Sequence, residues 1–416
     1  MSSIEELYLV HHTHTDIGYT HDQPTLWDLQ RRFIDDAIEL ADRDADVDAP
    51  HAFRWTVETT APLLRWLETA TERQLERFAR LEAQGRIEVT GMLANVTPLY
   101  GPAQTTESLR PVRYLREEHG FDVRHAMNCD VNGHNWPIVD ALLDAGIEGF
   151  SMAINEHSGG APPNRPELFL WEAPSGRRLP TLNGMHYSTG YKLGIGRDAD
   201  DLAENWWPKL EARVEEGRYP LDTLLVQTFH PFGDNGTAFD EFTGFVEAWN
   251  ERADVRDGDL PRIRMATPAD WWETVETHRE ELPVRRGDWT DFWNYGSVSS
   301  AREVAVNRKN RRRLETADAL EAGLVGLGAE RSERHPARRS APGTREDAWW
   351  GVEFFDEHTW GADSSIWAPD HEDVRAQWSN KANYAYDARA NSATLRRDAV
   401  AELARRVDDE EVSDDE

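Results

Sequence analysis

Short β-rich runs alternate with helical patterns from Glu6 to about residue 275, and this alternation limits the fold more than any other feature. Glu6 to His12 reads Glu-Leu-Tyr-Leu-Val-His-His and predicts a first strand ending in histidines. Leu26, Leu29, Phe33, Ile34, Ala37 and Ile38 recur at helical spacing, which predicts a helix from about Pro24 to Ala41. Strands are expected at His51–Glu58, Arg86–Gly91, a run ending at Asp130, Leu179–Asn183 and Asp222–Phe229. Helices are expected between them at Pro62–Gln84, Thr106–His119 and Pro137–Ala145, with Gly85 and Gly146 as stops. Such alternation predicts an α/β unit on a parallel sheet, open or closed. After Arg285 the pattern becomes helical, with long helices at Ala301–Leu327 and Glu372–Arg406 and a loop at Ala329–Arg345. The expected division is an α/β unit over 1–284, a helical unit over 285–407 and a frayed acidic tail over 408–416.

Composition narrows what such a fold can meet. The 416 residues carry 46 Lys and Arg against 77 Asp and Glu, a formal net charge of −31. A surface this acidic repels a phosphate backbone and an anionic lipid face, so nucleic-acid and membrane partners are excluded. High charge can mark disorder, but 39% hydrophobic residues and 17 Trp supply a core. The only lysines are Lys192, Lys209, Lys309 and Lys381. Acid-rich, Lys-poor composition predicts adaptation to strong brine, where a Debye length of ~3 Å screens self-repulsion. Cys129 is the only cysteine, so no intrachain disulfide is expected. Met1 to Val10 has no basic stretch leading an apolar one, and no apolar run approaches the ~20 residues of a membrane span, so a cytoplasmic location is expected.

Four segments carry candidate chemistry. His14-Thr15-Asp16 follows the first strand, and on a strand residues i and i+2 share a side, so both would face one ion. Asp130 ends an apolar strand in Asn128-Cys129-Asp130-Val131-Asn132-Gly133-His134, where a helix N-cap is the alternative role. Asp234, in Gly233-Asp234-Asn235-Gly236, is either functional or a turn residue. His358, in Asp356-Glu357-His358-Thr359-Trp360-Gly361, is either a ligand or a packed histidine. Two histidines with two carboxylates suit Zn²⁺, and a carboxylate left over suits acid/base work of the kind glycoside hydrolysis needs.

The order of these motifs resembles glycoside hydrolase family 38, the α-mannosidases. The similarity runs through His14-Thr15-Asp16-Ile17-Gly18-Tyr19, Phe53–Glu58, Gly85–Gly91, Asp130–His134, Gly287–Trp293 with Ser300–Glu303, and Asp356–Gly361. The resemblance implies a seven-stranded (β/α) barrel followed by a three-helix bundle. It implies one Zn²⁺ per chain on His14, Asp16, Asp130 and His358, and a retaining mechanism with Asp130 as nucleophile and Asp234 as acid/base. Tyr19 and His134 are the expected substrate contacts, and a terminal α-mannoside is the expected substrate. The chain departs from the family pattern in having Gly233 before Asp234, where a second acid is frequent, and Thr359 after the metal histidine, where Asp is frequent. Family members usually carry β-sandwich domains beyond the helical unit, so a homo-oligomer or a β-domain partner chain is expected here. Two other readings fit the same residues: a metal-dependent carbohydrate deacetylase, and a non-catalytic subunit that needs such a partner.

Overall fold

The computed structural model describes residues 3–131, 133–155, 165–289, 293–328 and 340–408. Asn132, Thr290 to Phe292, most of the expected 329–345 loop and the tail beyond Asp408 lie outside the described residues.

Ten strands are described: β1 (Glu6–His11), β2 (Trp55–Val57), β3 (Ile87–Val89), β4 (His125–Asp130), β5 (Gly149–Ile154), β6 (Glu167–Glu172), β7 (Arg178–Gly184), β8 (Thr223–Thr228), β9 (Arg262–Ala266) and β10 (Val284–Arg286). They form three sheets, ordered β8-β1-β9, β10-β6-β7-β5-β4 and β2-β3. Every ladder is parallel except β6–β7, where Glu167 pairs with Asn183 and Glu172 with Arg178 in an antiparallel hairpin. The all-parallel expectation is corrected there: the Ala173–Arg177 turn is short enough to reverse the chain, and Gly176 takes the left-handed conformation it needs (φ +86°). Single contacts join the sheets. His12 bridges Thr56 between β1 and β2, and the Gly91 N–H donates to the His125 carbonyl between β3 and β4. The mixed α/β class is therefore present.

β4, β5 and β8 are buried at every position, as parallel strands covered on both faces should be. Around them lies a large core that includes Phe53, Trp55, Trp66, Phe78, Phe150 and Trp171. Two expected helices are each split. The Pro62–Gln84 pattern resolves into Thr60–Leu67 and Glu72–Ala83, because Thr71 and Gln74 form a reciprocal capping box that starts a new helix. The Thr106–His119 pattern becomes Pro102–Ser108 and Arg110–His119, with Pro111 in the first turn of the second, where its missing N–H costs nothing.

The helical part consists of Ala301–Gly326, Thr344–Asp356 and Glu372–Asp408. Leu314, Ala317, Trp349, Val352, Ala388 and Leu395 form its core. At Gly351 the helices approach so closely that a Cβ would lie 2.6 Å from the Tyr384 carbonyl oxygen, so no larger residue fits. No described helix is long and apolar enough to cross a membrane.

Candidate metal centre

The loop that follows β1 and the last residue of β4 meet at the carboxyl ends of these parallel strands, the usual ligand-binding end of α/β folds. β1 ends at His11, so His14 and Asp16 lie in the loop beyond it and not on the strand itself. Strand alternation is therefore not what brings them together. The loop is held by the Glu58 carboxylate, which accepts from His14 Nδ1 (3.1 Å) and the Thr15 N–H (3.1 Å). Asp130 is the last residue of β4 and adopts a left-handed backbone (φ +70°). That conformation costs a non-glycine residue on the order of 1–3 kcal/mol, and Asp tolerates it better than most. It turns the chain sharply where the carboxylate is needed. His358 follows the Thr344–Asp356 helix, and its N–H donates to the Asn95 carbonyl (3.0 Å).

The four expected ligands meet. One donor atom each from His14, Asp16, Asp130 and His358 lies within 4.8 Å of all the others, and all four residues are buried. Asp16 Oδ1 is 3.3 Å from His14 Nε2 and 3.1 Å from His358 Nε2, and Asp130 Oδ2 is 3.5 Å from His358 Nε2. Both Nε2 atoms are buried and face only carboxylate oxygens, in poor hydrogen-bond geometry, and Asp130 Oδ1 is buried without a hydrogen-bond partner. Buried polar atoms are rarely left so, and orphans of this kind point to a ligand. The electrostatics agree. Burial works against charge at His14, but Glu58 and Asp16 outweigh it and hold its pKa well above the ordinary value. Burial likewise opposes ionisation of Asp16, yet His14 and His358 keep it well below the usual carboxylate range. A site that draws in positive charge this strongly fits a divalent cation, and the N₂O₂ donor set suits a zinc-type ion.

Each of the two histidines is oriented by a further group. His14 Nδ1 faces Glu58 and His358 Nδ1 faces Glu357 Oε1 (2.9 Å), which leaves both Nε2 atoms for the centre. Asn95 ties the parts together: its Nδ2 donates to Glu58 (2.6 Å) and its Oδ1 accepts from the Cys129 N–H (2.8 Å).

A family model described as the glycosyl hydrolases family 38 N-terminal domain matches residues 5–295. The chain belongs to glycosyl hydrolase family 38. Among solved structures it is similar to an α-mannosidase from Enterococcus faecalis V583, with 16% identity and a TM-score of 0.68. That alignment covers 96% of this chain and 43% of the other. A second similar structure is a family 38 protein from Enterococcus faecalis, with 16% identity, a TM-score of 0.61, and 97% and 40% of the two chains covered. The chain thus spans less than half the length of either. No curated protein matches it.

For a family 38 chain, the remaining expected residues are placed as follows. Asp234 lies in the loop after β8, and burial is the main cause that raises its carboxyl to about 6. Tyr19 is 38% exposed at the edge of the site and is bridged to Ala362 of the helical part. His134 is buried, with its ring against Phe150 and Nε2 unpartnered. Sequence reading missed Tyr187. It stacks on His14 (4.2 Å between ring centroids), and its hydroxyl is held un-ionised by burial and by the charges of Asp130, Asp234 and Asp16. Its one sequence signal is a His186-Tyr187 pair just beyond the Leu179–Asn183 run.

Proposed function

We propose that this protein is a zinc-dependent, retaining α-mannosidase-like glycoside hydrolase. The observation that carries the reading is the burial and convergence of His14, Asp16, Asp130 and His358, with both imidazole Nε2 atoms aimed at the two carboxylates. His14, Asp16, Asp130 and His358 would hold one Zn²⁺, which when bound polarises sugar hydroxyls and stabilises developing negative charge. Asp130 attacks the anomeric carbon and forms a covalent glycosyl-enzyme as the glycosidic bond breaks. Asp234, whose carboxyl is raised to about 6, gives its proton to the departing oxygen and then takes one from the attacking water. A carboxylate shared with a cation is the weaker nucleophile, and the compensation is positional: nucleophile and sugar are fixed together. Tyr19 and His134 are the proposed sugar contacts.

The same reading includes closure of the three sheets into a seven-stranded barrel, a three-helix bundle, and a division of the chain at 284/285. It also includes a cytoplasmic location in a high-salt environment, and association with a second copy or a β-rich partner chain. The test is hydrolysis of an aryl α-mannoside in molar salt with added Zn²⁺. Turnover that is lost on chelation and restored by Zn²⁺, retention at the anomeric carbon, and a trapped glycosyl group on the Asp130 peptide are expected. A metal-loaded, folded protein with no turnover would overturn the reading.

A further inference from the structure

Asn235 stands beside the acid/base candidate, yet all its hydrogen bonds run to the metal-ligand loop or to a residue that holds it. Its Oδ1 accepts from the Asp16 N–H (3.1 Å) and from Gln30 Nε2 (2.9 Å). Its Nδ2 donates to Asp16 Oδ2 (2.8 Å) and to Thr20 Oγ1 (3.0 Å). Two acceptances and two donations exhaust an amide, so its orientation is fixed from both ends. Gln30 is itself buried and donates to the His14 carbonyl (2.8 Å). Asp16 is thus gripped twice by one side chain, once at its backbone and once at its carboxylate.

The two oxygens of Asp16 are separated by this grip. Oδ2 takes the amide hydrogen bond, while Oδ1 faces His14 and His358. We propose that Asn235 is a positioning residue that fixes Asp16 as a one-oxygen metal ligand and ties the loop bearing Asp234 to the loop bearing His14 and Asp16. A second staple supports the tie: Thr13 Oγ1 donates to the Gly236 carbonyl (2.7 Å). Through Asn235, the residue that would handle the proton and the residue that would hold the cation keep a constant relation. The inference deepens the metal-site reading above and rests on it.

The experiment measures Zn²⁺ affinity by chelator competition, and the visible spectrum of the Co²⁺-loaded protein, in full-length variants that retain native near-UV circular dichroism. Asn235→Ala is expected to weaken Zn²⁺ binding by about 10–100-fold, the usual effect of losing an outer-sphere partner. Its Co²⁺ spectrum is expected to change as Asp16 gains freedom to bind through both oxygens. Asn235→Asp should be at least as damaging, because it sets a carboxylate against Asp16. Gly233→Ala is the control in the same loop, since its Cβ would meet nothing within 4 Å; it should bind as the parent does. If Asn235→Ala does not fold, Gln30→Leu asks the same question by freeing one end of the amide, and a smaller loss of affinity is expected. Parent-like affinity and an unchanged Co²⁺ spectrum in the folded variant would overturn the role of Asn235 and leave the metal site standing. A parent protein that binds neither metal would overturn both.

Discussion

His14 and His358 present the same Nε2 atom to the same acidic cluster, yet each is oriented by a different part of the molecule. His14 leans on Glu58, which receives the Thr15 N–H, the Asn95 amide and the His12 imidazole, all from the strand ends and the loops beside them. His358 leans on Glu357, which receives Thr359 Oγ1 and N–H and the Lys381 ammonium at 2.7 Å. Lys381 is buried and comes from the long Glu372–Asp408 helix. One histidine is thus set by groups local to the sheets, the other by the docking of a distant helix. The lesson is that the site is complete only when both parts of the molecule are assembled. An ammonium placed beside a buried carboxylate makes that assembly costly to undo.

The largest effect is therefore expected at the ion pair. Burial by itself would raise the Glu357 carboxyl, but Lys381 holds it below its ordinary value. Lys381→Met removes the cation and leaves that charge uncompensated, which costs about 3–5 kcal/mol for a buried pair. Denaturant unfolding followed by near-UV circular dichroism should show this loss. The double variant Lys381→Met/Glu357→Gln should recover much of it, because no charge is left stranded. A single variant as stable as the parent would show that docking of the long helix does not depend on the pair.

Glu58→Gln probes the other histidine. It keeps the shape but removes the charge that sets His14, so Zn²⁺ affinity should fall by about 10–100-fold, or roughly 1.4–2.7 kcal/mol. Chelator competition measures this, and the unfolding midpoint of the helical part should move far less than in Lys381→Met. Equal loss of helical stability in the two variants would erase the contrast between the histidines.

The ligands were legible in the sequence and their supports were not. His14, Asp16, Asp130 and His358 each stand in a short motif with chemical identity, and the structure brings all four together. Glu58, Asn95, Asn235 and Lys381 stand in ordinary contexts: a strand end, a loop, a turn and a helix. Their roles arise from contacts across 24 to 219 positions, as with Lys381 to Glu357 and Asn235 to Asp16, and no local pattern encodes those. One trace was present. The scarcity of lysine, four in the chain, made Lys381 visible as a residue, and the structure buries it beside Glu357. The strand and helix alternation was readable because burial imposes it residue by residue. The splits at Thr71 and Pro111 were hidden by an apolar spacing that continues across them. Convergence of His14 and Asp16 was expected for the wrong reason, since the loop and its Glu58 anchor, not strand alternation, bring them together.

The smallest expected effect separates burial from charge at Asp234. Its carboxyl is raised to about 6 first by burial, with Asp16 and Asp130 adding to the rise and His14 opposing it. In its proposed role as general acid, Asp234 must carry its proton, so kcat/KM for a poor leaving group should fall about tenfold per pH unit above about 6. The stability sign is the same. A carboxyl whose folded pKa is raised binds its proton more tightly when folded, so its contribution is full below the unfolded value of about 3.9 and is lost as pH rises through about 6. Molar salt screens exposed charges within ~3 Å but reaches buried ones such as Asp16 and Asp130 far less, and it leaves desolvation intact. The limb should therefore move down by only a fraction of a unit between moderate and molar salt. Asp234→Asn should abolish it for a poor leaving group and spare the first step with an activated aryl one. A limb that drops to the ordinary carboxylate range in molar salt would show that neighbouring charge, and not burial, sets this acid.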